Sequence, residues 1–382
     1  MKYLVCGWYG SGNLGDEAIL YAISKQINKV DDKAQVKALS LNPEYTKRFL
    51  GVDAVKHAPL SFKATLCSLL APSQYGAMLS AIRWCDVLVF GGGGFLSDWN
   101  RFNIVSWLKH IALAWIFGKK IIIYAIGAGP FFTPLGRFIT RFVFNNFPDE
   151  ILIRDLKSYN LLHEIGVNTE KMKITGDPVL WLKGNSHDTL NLPLQKKICI
   201  IANPYLADRN QVKFEKLNKS FVELLKYLKL QGHDTFIFPL EYEKDAPFCR
   251  DLARQAGLDE RIVIEEPEDI ESAFNLIKQS SLVISLRLHG SIIAAAFGVP
   301  FIPIIYHHKT AEFVSAIDWP YRLEFGEGGN WPEADIDIDL CKKMIESLLG
   351  DFQASVRLNA GVDFYLEKEA GNIDALRNLM RS

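Results

Sequence analysis

The stretch Val283-Ile-Ser-Leu-Arg287-Leu-His289-Gly290-Ser291-Ile-Ile-Ala-Ala-Ala-Phe-Gly298-Val-Pro300 decides how the chain folds. Leu282 to Leu286 is an apolar run of strand length, and the small-residue segment after it stops at Gly298 and Pro300 as a helix does. Their junction presents Arg287 and His289 beside a Gly-Ser pair. A strand that hands a guanidinium and an imidazole to a helix N-terminus offers fixed charge, a titratable proton carrier and backbone N–H donors together, which suits an anionic substrate. Taken alone, an arginine capping a sheet edge and a satisfied core histidine is the commoner arrangement, so the surrounding chain has to decide.

Upstream, Lys197 to Ala202, Asp234 to Pro239 and Arg261 to Ile264 read as strands, alternating with helices at Phe214 to Leu230, Ala246 to Ala256 and Ile270 to Gln279. Downstream, Phe301 to Ile305 is a further strand that leads to Tyr306-His307-His308-Lys309. The first half alternates in the same way: strands at Tyr3 to Gly7, Val36 to Leu41, Asp86 to Phe90, Lys120 to Ala125 and Glu150 to Arg154, with helices at Ala18 to Ile27 and Tyr159 to Ile165. This predicts an α/β protein of two Rossmann-like, doubly wound domains with a cleft between them. A chain of 382 residues also exceeds what one core usually supports. The polar run Lys183 to Asn191 is the expected linker, dividing the chain into 1–183 and 184–382, with the helical tail after Ile338 placed to cross back over the first domain.

Glycine clusters recur at three strand ends of the first half: Gly10-Ser-Gly12-Asn13-Leu-Gly15-Asp16-Glu17, Gly91 to Gly94, and Gly127-Ala-Gly129-Pro130. In a parallel sheet these ends share one edge, the edge where open α/β sheets bind ligands. Four consecutive glycines imply close approach of a ligand or of another backbone, since each costs up to about 1 kcal/mol relative to alanine in a regular element. The Gly10, Gly12 and Gly15 spacing fits a dinucleotide loop, but Asp16 and Glu17 would set carboxylates where a pyrophosphate belongs, and no ribose-binding acid follows Val36 to Leu41. A loop that receives a neutral sugar fits better, with Asp16 as helix cap or hydroxyl ligand.

Composition excludes other classes. With 43 basic and 44 acidic residues, no global field draws the chain to nucleic acid. The cysteines at 6, 67, 85, 199, 249 and 341 show no CxxC pair and no zinc spacing, and read as reduced core thiols of a cytoplasmic protein. No metal is expected, because His289, His307 and His308 lack clustered carboxylates or thiols. The N-terminus lacks signal-peptide character, and the apolar region Ile104 to Ile126 is broken by Lys109, His110, Lys119 and Lys120. Membrane contact is at most peripheral: Phe138, Arg141, Phe142 and Phe144, with Trp107 and Trp115, would form basic-aromatic faces, although packing of these faces on the sheet is favoured.

In order along the chain, Gly10 to Glu17, Gly91 to Asp98, Ile126-Gly-Ala-Gly-Pro130, Arg154-Asp-x-x-Ser158, Gly176-Asp-Pro178, Arg287-Leu-His289 and Tyr306-x-x-Lys309 resemble the polysaccharide pyruvyl transferase family. The resemblance runs from the first loop to about residue 315, and departs from the family at His307-His308 and at Gly290. It implies a GT-B-like arrangement and an enzyme that moves a pyruvyl group from phosphoenolpyruvate, its co-substrate, to a sugar, forming a cyclic ketal and releasing phosphate without a further cofactor. On that basis the first domain is the acceptor side and the second the phosphoenolpyruvate side. The resemblance implies His289 as general acid, Arg287 as anion clamp and Asp16 as base. Arg154, Lys309, Leu288 and Gly290 would hold the donor, while Gly10, Asn13, Gly15, Gly93 and Gly94, with Asp98 as a helper, would hold the acceptor. It leaves open a lipid-linked acceptor, a site of action at the inner face of the membrane, and a homo-oligomer. Competing readings are a GT-B glycosyltransferase that uses a nucleotide sugar, and a non-catalytic glycan- or anion-binding protein.

Overall fold

The structure, a computed structural model, describes residues 1–58, 72–98, 103–185, 197–207, 210–306, 308–325 and 336–381. The chain forms two compact units: one of Met1–Ser11, Asp16–Pro178 and Leu366–Ser382, the other of Gly12–Gly15 and Val179–Tyr365.

The first unit is built on strands β1 (Lys2–Tyr9), β2 (Gln35–Ser40), β3 (Asp53–Lys56), β4 (Val87–Leu96), β5 (Lys120–Ala128), β6 (Glu150–Ile153) and β7 (Met172–Ile174). They lie in the order β3-β2-β1-β4-β5-β6-β7, with every pair parallel. Helices α1 (Leu14–Val30), α2 (Pro43–Leu50), α3 (Pro72–Trp84), α4 (Asn103–Ile116), α5 (Pro134–Asn146) and α6 (Leu156–Glu164) connect them. Continuous burial along β1, β4 and β5 is what a parallel sheet covered on both faces requires. Helix ends are set locally: the Asn42 and Thr133 side chains accept first-turn N–H groups of α2 and α5, and Gly51 takes the left-handed conformation that closes α2.

The second unit repeats the scheme with β8 (Lys197–Ile201), β9 (Asp234–Ile237), β10 (Leu282–Ser285), β11 (Phe301–Ile305) and β12 (Leu323–Glu324), ordered β12-β11-β10-β8-β9 and again parallel. Its helices are α7 (Gln211–Leu230), α8 (Tyr242–Gln255), α9 (Ile270–Lys278), α10 (Leu288–Ala296), α11 (His308–Ala316) and α12 (Ile338–Gly350). Helix α13 (Phe352–Arg381) belongs to the second unit up to Tyr365 and to the first from Leu366, where Lys120 Nζ donates to the Leu379 carbonyl. Each unit is therefore a doubly wound, Rossmann-like sheet with one point where strand order reverses: between β1 and β4 in the first, and between β8 and β10 in the second.

Three expectations change. Arg261 to Ile264 is not a strand but a 3-10 turn, Glu260–Ile262, with a single bridge from Val263 to Ile237. The Asp259 carboxylate captures the Arg261 N–H and curls the backbone there. The edge strands β3 and β12 carry no long apolar run and escaped the pattern. Gly91 to Gly94 lie inside β4 rather than after it, because the ladder to β5 continues through Gly91–Tyr124 and Gly93–Ile126. Cys67, His307 and the linker residues 186–191 fall outside the described residues.

Candidate functional site

In the second unit, the end of β10 delivers Arg287 as the N-cap of α10, at the strand-order reversal. Its guanidinium is gripped by two carboxylates. Nε donates to Asp245 Oδ2 at 2.9 Å, and Nη2 to Asp245 Oδ1 at 2.7 Å and to Glu241 Oε2 at 3.1 Å. Burial opposes the charge, yet Asp245 and Glu241 outweigh it and hold the Arg287 pKa above its usual value. The same burial raises the Asp245 carboxyl, against the pull of Arg287. The bidentate geometry identifies an ion pair, so the arginine stays cationic. Three of its five donor hydrogens are thereby used, and Nη1 takes no part in these bonds.

His289, two residues on, is packed against the glycine loop of the N-terminal segment. A Cβ added at Gly15 would lie 2.3 Å from His289 Nδ1 and 2.5 Å from its Cγ. Gly12–Gly15 is held there by backbone pairing, Leu14 N–H to the Leu240 carbonyl at 2.8 Å and an antiparallel bridge between Asn13 and Glu241. The Asn13 side chain caps the Gly15 N–H at 3.1 Å. Gly290 is required by packing: a Cβ there would meet Ser285 Oγ at 2.3 Å and Ile201 Cδ1 at 2.7 Å, so α10 presses directly onto β8 and β10. The N-cap Arg287 makes no side-chain capping bond to α10, whose first turn begins at Leu288. Lys309 is the second residue of α11, just past the end of β11, the strand next to β10. Tyr306 follows β11, close enough to Arg287 to bear on its charge, with its ring tilted at 53° to that of Tyr205 and the centroids 5.2 Å apart.

The first unit gathers its own set at the strand-order reversal. Asp16 faces Gly93, with Oδ1 3.6 Å from where a Cβ would stand. Gly91 and Gly92 answer to backbone and helix instead: side chains there would strike the Tyr124 carbonyl at 2.3 Å and Ile19 at 2.5 Å. Gly94 touches Gly127, over which lies Arg154, 6% exposed and bonded to the buried Asp177 at 3.3 Å. At Gly10 the φ of +73° and a Cβ position that would lie 2.0 Å from Ser40 Oγ exclude any side chain. The Gly10 and Ser11 N–H groups donate to Glu17 Oε1 at 2.9 and 3.1 Å, so a carboxylate occupies the place of a dinucleotide phosphate.

Tyr9 is buried and donates to the Gly91 carbonyl at 2.6 Å, while Trp8 is 37% exposed. Asp98 spends its carboxylate on Phe132 N–H, Thr133 N–H and Thr133 Oγ1 at 2.5 to 2.7 Å, fixing the turn into α5. Of the basic-aromatic faces, Trp107 and Phe144 are core, whereas Phe138, Phe142 and Trp115 are exposed. Sequence reasoning missed Glu241, Asp245 and Glu17 as partners. An Asp four residues after a Glu at a strand-to-helix turn was the available signal for the first two, and it is too common to act on.

A family model, polysaccharide pyruvyl transferase, matches residues 13–308. The amylovoran biosynthesis protein AmsJ of Erwinia amylovora is 21% identical over 366 residues, covering 84% of this chain and 87% of that protein. Among solved structures, UDP-GlcNAc 2-epimerase from Neisseria meningitidis bound to UDP-GlcNAc matches with a TM-score of 0.61 at 12% identity over 100% of both chains. HepE from Anabaena in complex with UDP-glucose matches at 0.56 and 11%, over 100% of this chain and 99% of that one. At such identities these structures establish the fold alone, GT-B-like with two Rossmann-like domains. No helix among the described residues is long and apolar enough to cross a membrane. With more than half its length matched by that family model, the chain belongs to the polysaccharide pyruvyl transferase family.

Proposed function

We propose that the protein transfers a pyruvyl group from phosphoenolpyruvate to two hydroxyls of one sugar in a cell-surface polysaccharide or its precursor. The observation that carries this reading is the pairing of a fixed guanidinium with an imidazole seated against Gly15, at the strand-order reversal of a pyruvyl transferase family member. His289 protonates the methylene carbon of phosphoenolpyruvate, and the carbon bearing the phosphate becomes electrophilic. One sugar hydroxyl adds to that carbon, and its proton passes to a base, a role we assign to Asp16. The second hydroxyl then attacks the same carbon, its proton passes to the departing phosphate, and the C–O bond to phosphate breaks as the ketal closes. A positioned general acid contributes a hundredfold or more to such a step.

In this reading Arg287 meets the anion through Nη1, its orientation fixed by Asp245 and Glu241. The uncapped first turn at Leu288 and Gly290, together with Lys309, supplies further positive potential in the second unit, and Arg154 is the basic residue we assign to substrate binding in the first. Asn13, with Gly10, Gly15, Gly93 and Gly94, receives the acceptor through close backbone approach. No other cofactor enters the reaction.

The acceptor is proposed to be lipid-linked and met at a membrane surface. Helix α5 exposes Phe138 at 65% and Phe142 at 50%, and the ring contacts Phe138–Phe142, Phe142–Phe147 and Trp115–Phe147 join these side chains into one apolar face. Arg137 and Arg141 flank it, and α5 contains no acidic residue, a pattern complementary to anionic lipid.

The test is phosphate release from phosphoenolpyruvate across a panel of lipid-pyrophosphate sugars and simple glycosides. Acceptor-dependent release is expected, and His289→Ala should abolish it while phosphoenolpyruvate still binds. Near wild-type turnover in that variant removes His289 from the mechanism. A rise in melting temperature with nucleotide sugars, and no phosphate release, would instead mark a glycosyltransferase.

A further inference from the structure

Cys6, His57 and His110 come together in the core of the first unit, far apart in sequence and distinct from every residue assigned above. Cys6 is on β1, His57 directly follows β3, and His110 is on α4. Cys6 and His110 are fully buried and His57 is 4% exposed. One ring nitrogen of each histidine and the Cys6 sulfur lie within 4.8 Å of one another, and the two imidazoles stand edge to face with centroids 4.7 Å apart.

The hydrogen bonds fix which nitrogens are available. His57 Nδ1 is 2.7 Å from the Ala58 carbonyl, and His110 Nδ1 is 2.8 Å from the Trp107 carbonyl. A carbonyl only accepts, so each Nδ1 carries the proton and each Nε2 carries a lone pair. Both Nε2 atoms are buried and make no hydrogen bond among the described residues. The thiol offers one weak S–H, which cannot satisfy two acceptors. A ring whose Nδ1–H is pinned by a backbone carbonyl while a buried Nε2 keeps its lone pair is also the arrangement that metal-bound histidines show.

We propose that Cys6, His57 and His110 bind one thiophilic d10 cation, Cu⁺ or Zn²⁺, through the thiolate and both Nε2 atoms. Thiolate with imidazole is the donor set such ions prefer. In a formed site the donors would stand about 3.3 to 3.8 Å apart, given metal bonds of about 2.0 to 2.3 Å, so a closure of about 1 Å suffices. The Lys109 ammonium is near enough to act on all three groups. With three protein donors and a lysine alongside, the monovalent ion, neutral once bound to thiolate, is the cheaper occupant. The ion would tie β1, α4 and the residue that follows β3 together. No local motif marks it, since the three residues lie 51 and 53 positions apart.

The full-length protein, stripped of metal under reducing conditions, is titrated with Zn²⁺ and, anaerobically, with Cu⁺. The binding of one equivalent of either ion is expected, with a raised melting temperature and an X-ray absorption spectrum showing one sulfur and two nitrogen neighbours. Cys6→Ser and His110→Gln should each lose the equivalent. The wild-type absorption spectrum decides the matter even if a variant misfolds. No uptake of either ion, uptake without a sulfur neighbour, or undiminished uptake by folded Cys6→Ser overturns the proposal.

Discussion

Gly15→Ala separates the geometry of the site from the stability of the fold. The new Cβ would stand 2.3, 2.5 and 2.8 Å from Nδ1, Cγ and Cβ of His289. An ordinary contact needs about 3.5 Å, so the imidazole must retreat by about 1 Å. A displacement of that size at a reacting group costs on the order of a hundredfold in rate, or about 2.7 kcal/mol of barrier. Stability changes less. Gly15 lies in the first turn of α1 with no left-handed φ, so alanine gains up to about 1 kcal/mol of helix propensity, set against about 1 to 3 kcal/mol for overpacking. The assay is acceptor-dependent phosphate release alongside urea unfolding. A fall in kcat of about a hundredfold is expected, with unfolding free energy within about 2 kcal/mol of wild type. Gly12→Ala is the control. Gly12 has φ of +78° and open space around its Cα, so alanine strains the loop by about 1 kcal/mol without touching His289. Wild-type kcat in Gly15→Ala, or an equal loss in Gly12→Ala, would refute a role for the Gly15–His289 contact.

Asp245→Ala leaves the buried Arg287 with Glu241 alone, and should lower unfolding free energy by about 3 kcal/mol and reduce turnover; a urea midpoint equal to wild type would refute the pairing. Burial holds His57 at about 4, below its usual 6.5, and pushes His110 the same way. The unfolded chain then binds more protons between those values, so stability of the metal-free protein is full above about pH 6.5 and falls as pH drops towards 4, by about 3 kcal/mol from His57 alone. Urea midpoints across that window check this, and His57→Gln should flatten the slope. Phe138→Glu with Phe142→Glu should abolish co-sedimentation with anionic vesicles and leave turnover of a water-soluble acceptor unchanged; retained vesicle binding counts against the membrane face.

Much of the fold was legible because a parallel sheet covered on both faces demands apolar runs such as Leu4 to Cys6, Val87 to Phe90 and Leu282 to Ile284, and local turn chemistry marks their ends. The Arg287-Leu-His289 element was legible for the same reason, as two polar residues at the end of a buried strand. Edge strands were not, since β3 is half exposed and lacks that demand. The glycines show the limit most clearly. Sequence located Gly91 to Gly94 and Gly15, but only the fold distinguishes a glycine that admits Tyr124 or Ile19 from one that admits the His289 ring. Partners were likewise invisible. Asp245 and Glu241 reach Arg287 across more than forty residues, and Cys6, His57 and His110 meet across more than fifty. Periodicity reports which face of an element is buried, whereas the identity of the group on the other side is set by how separate elements pack, and this is what decides whether an arginine is a clamp, a strut or both.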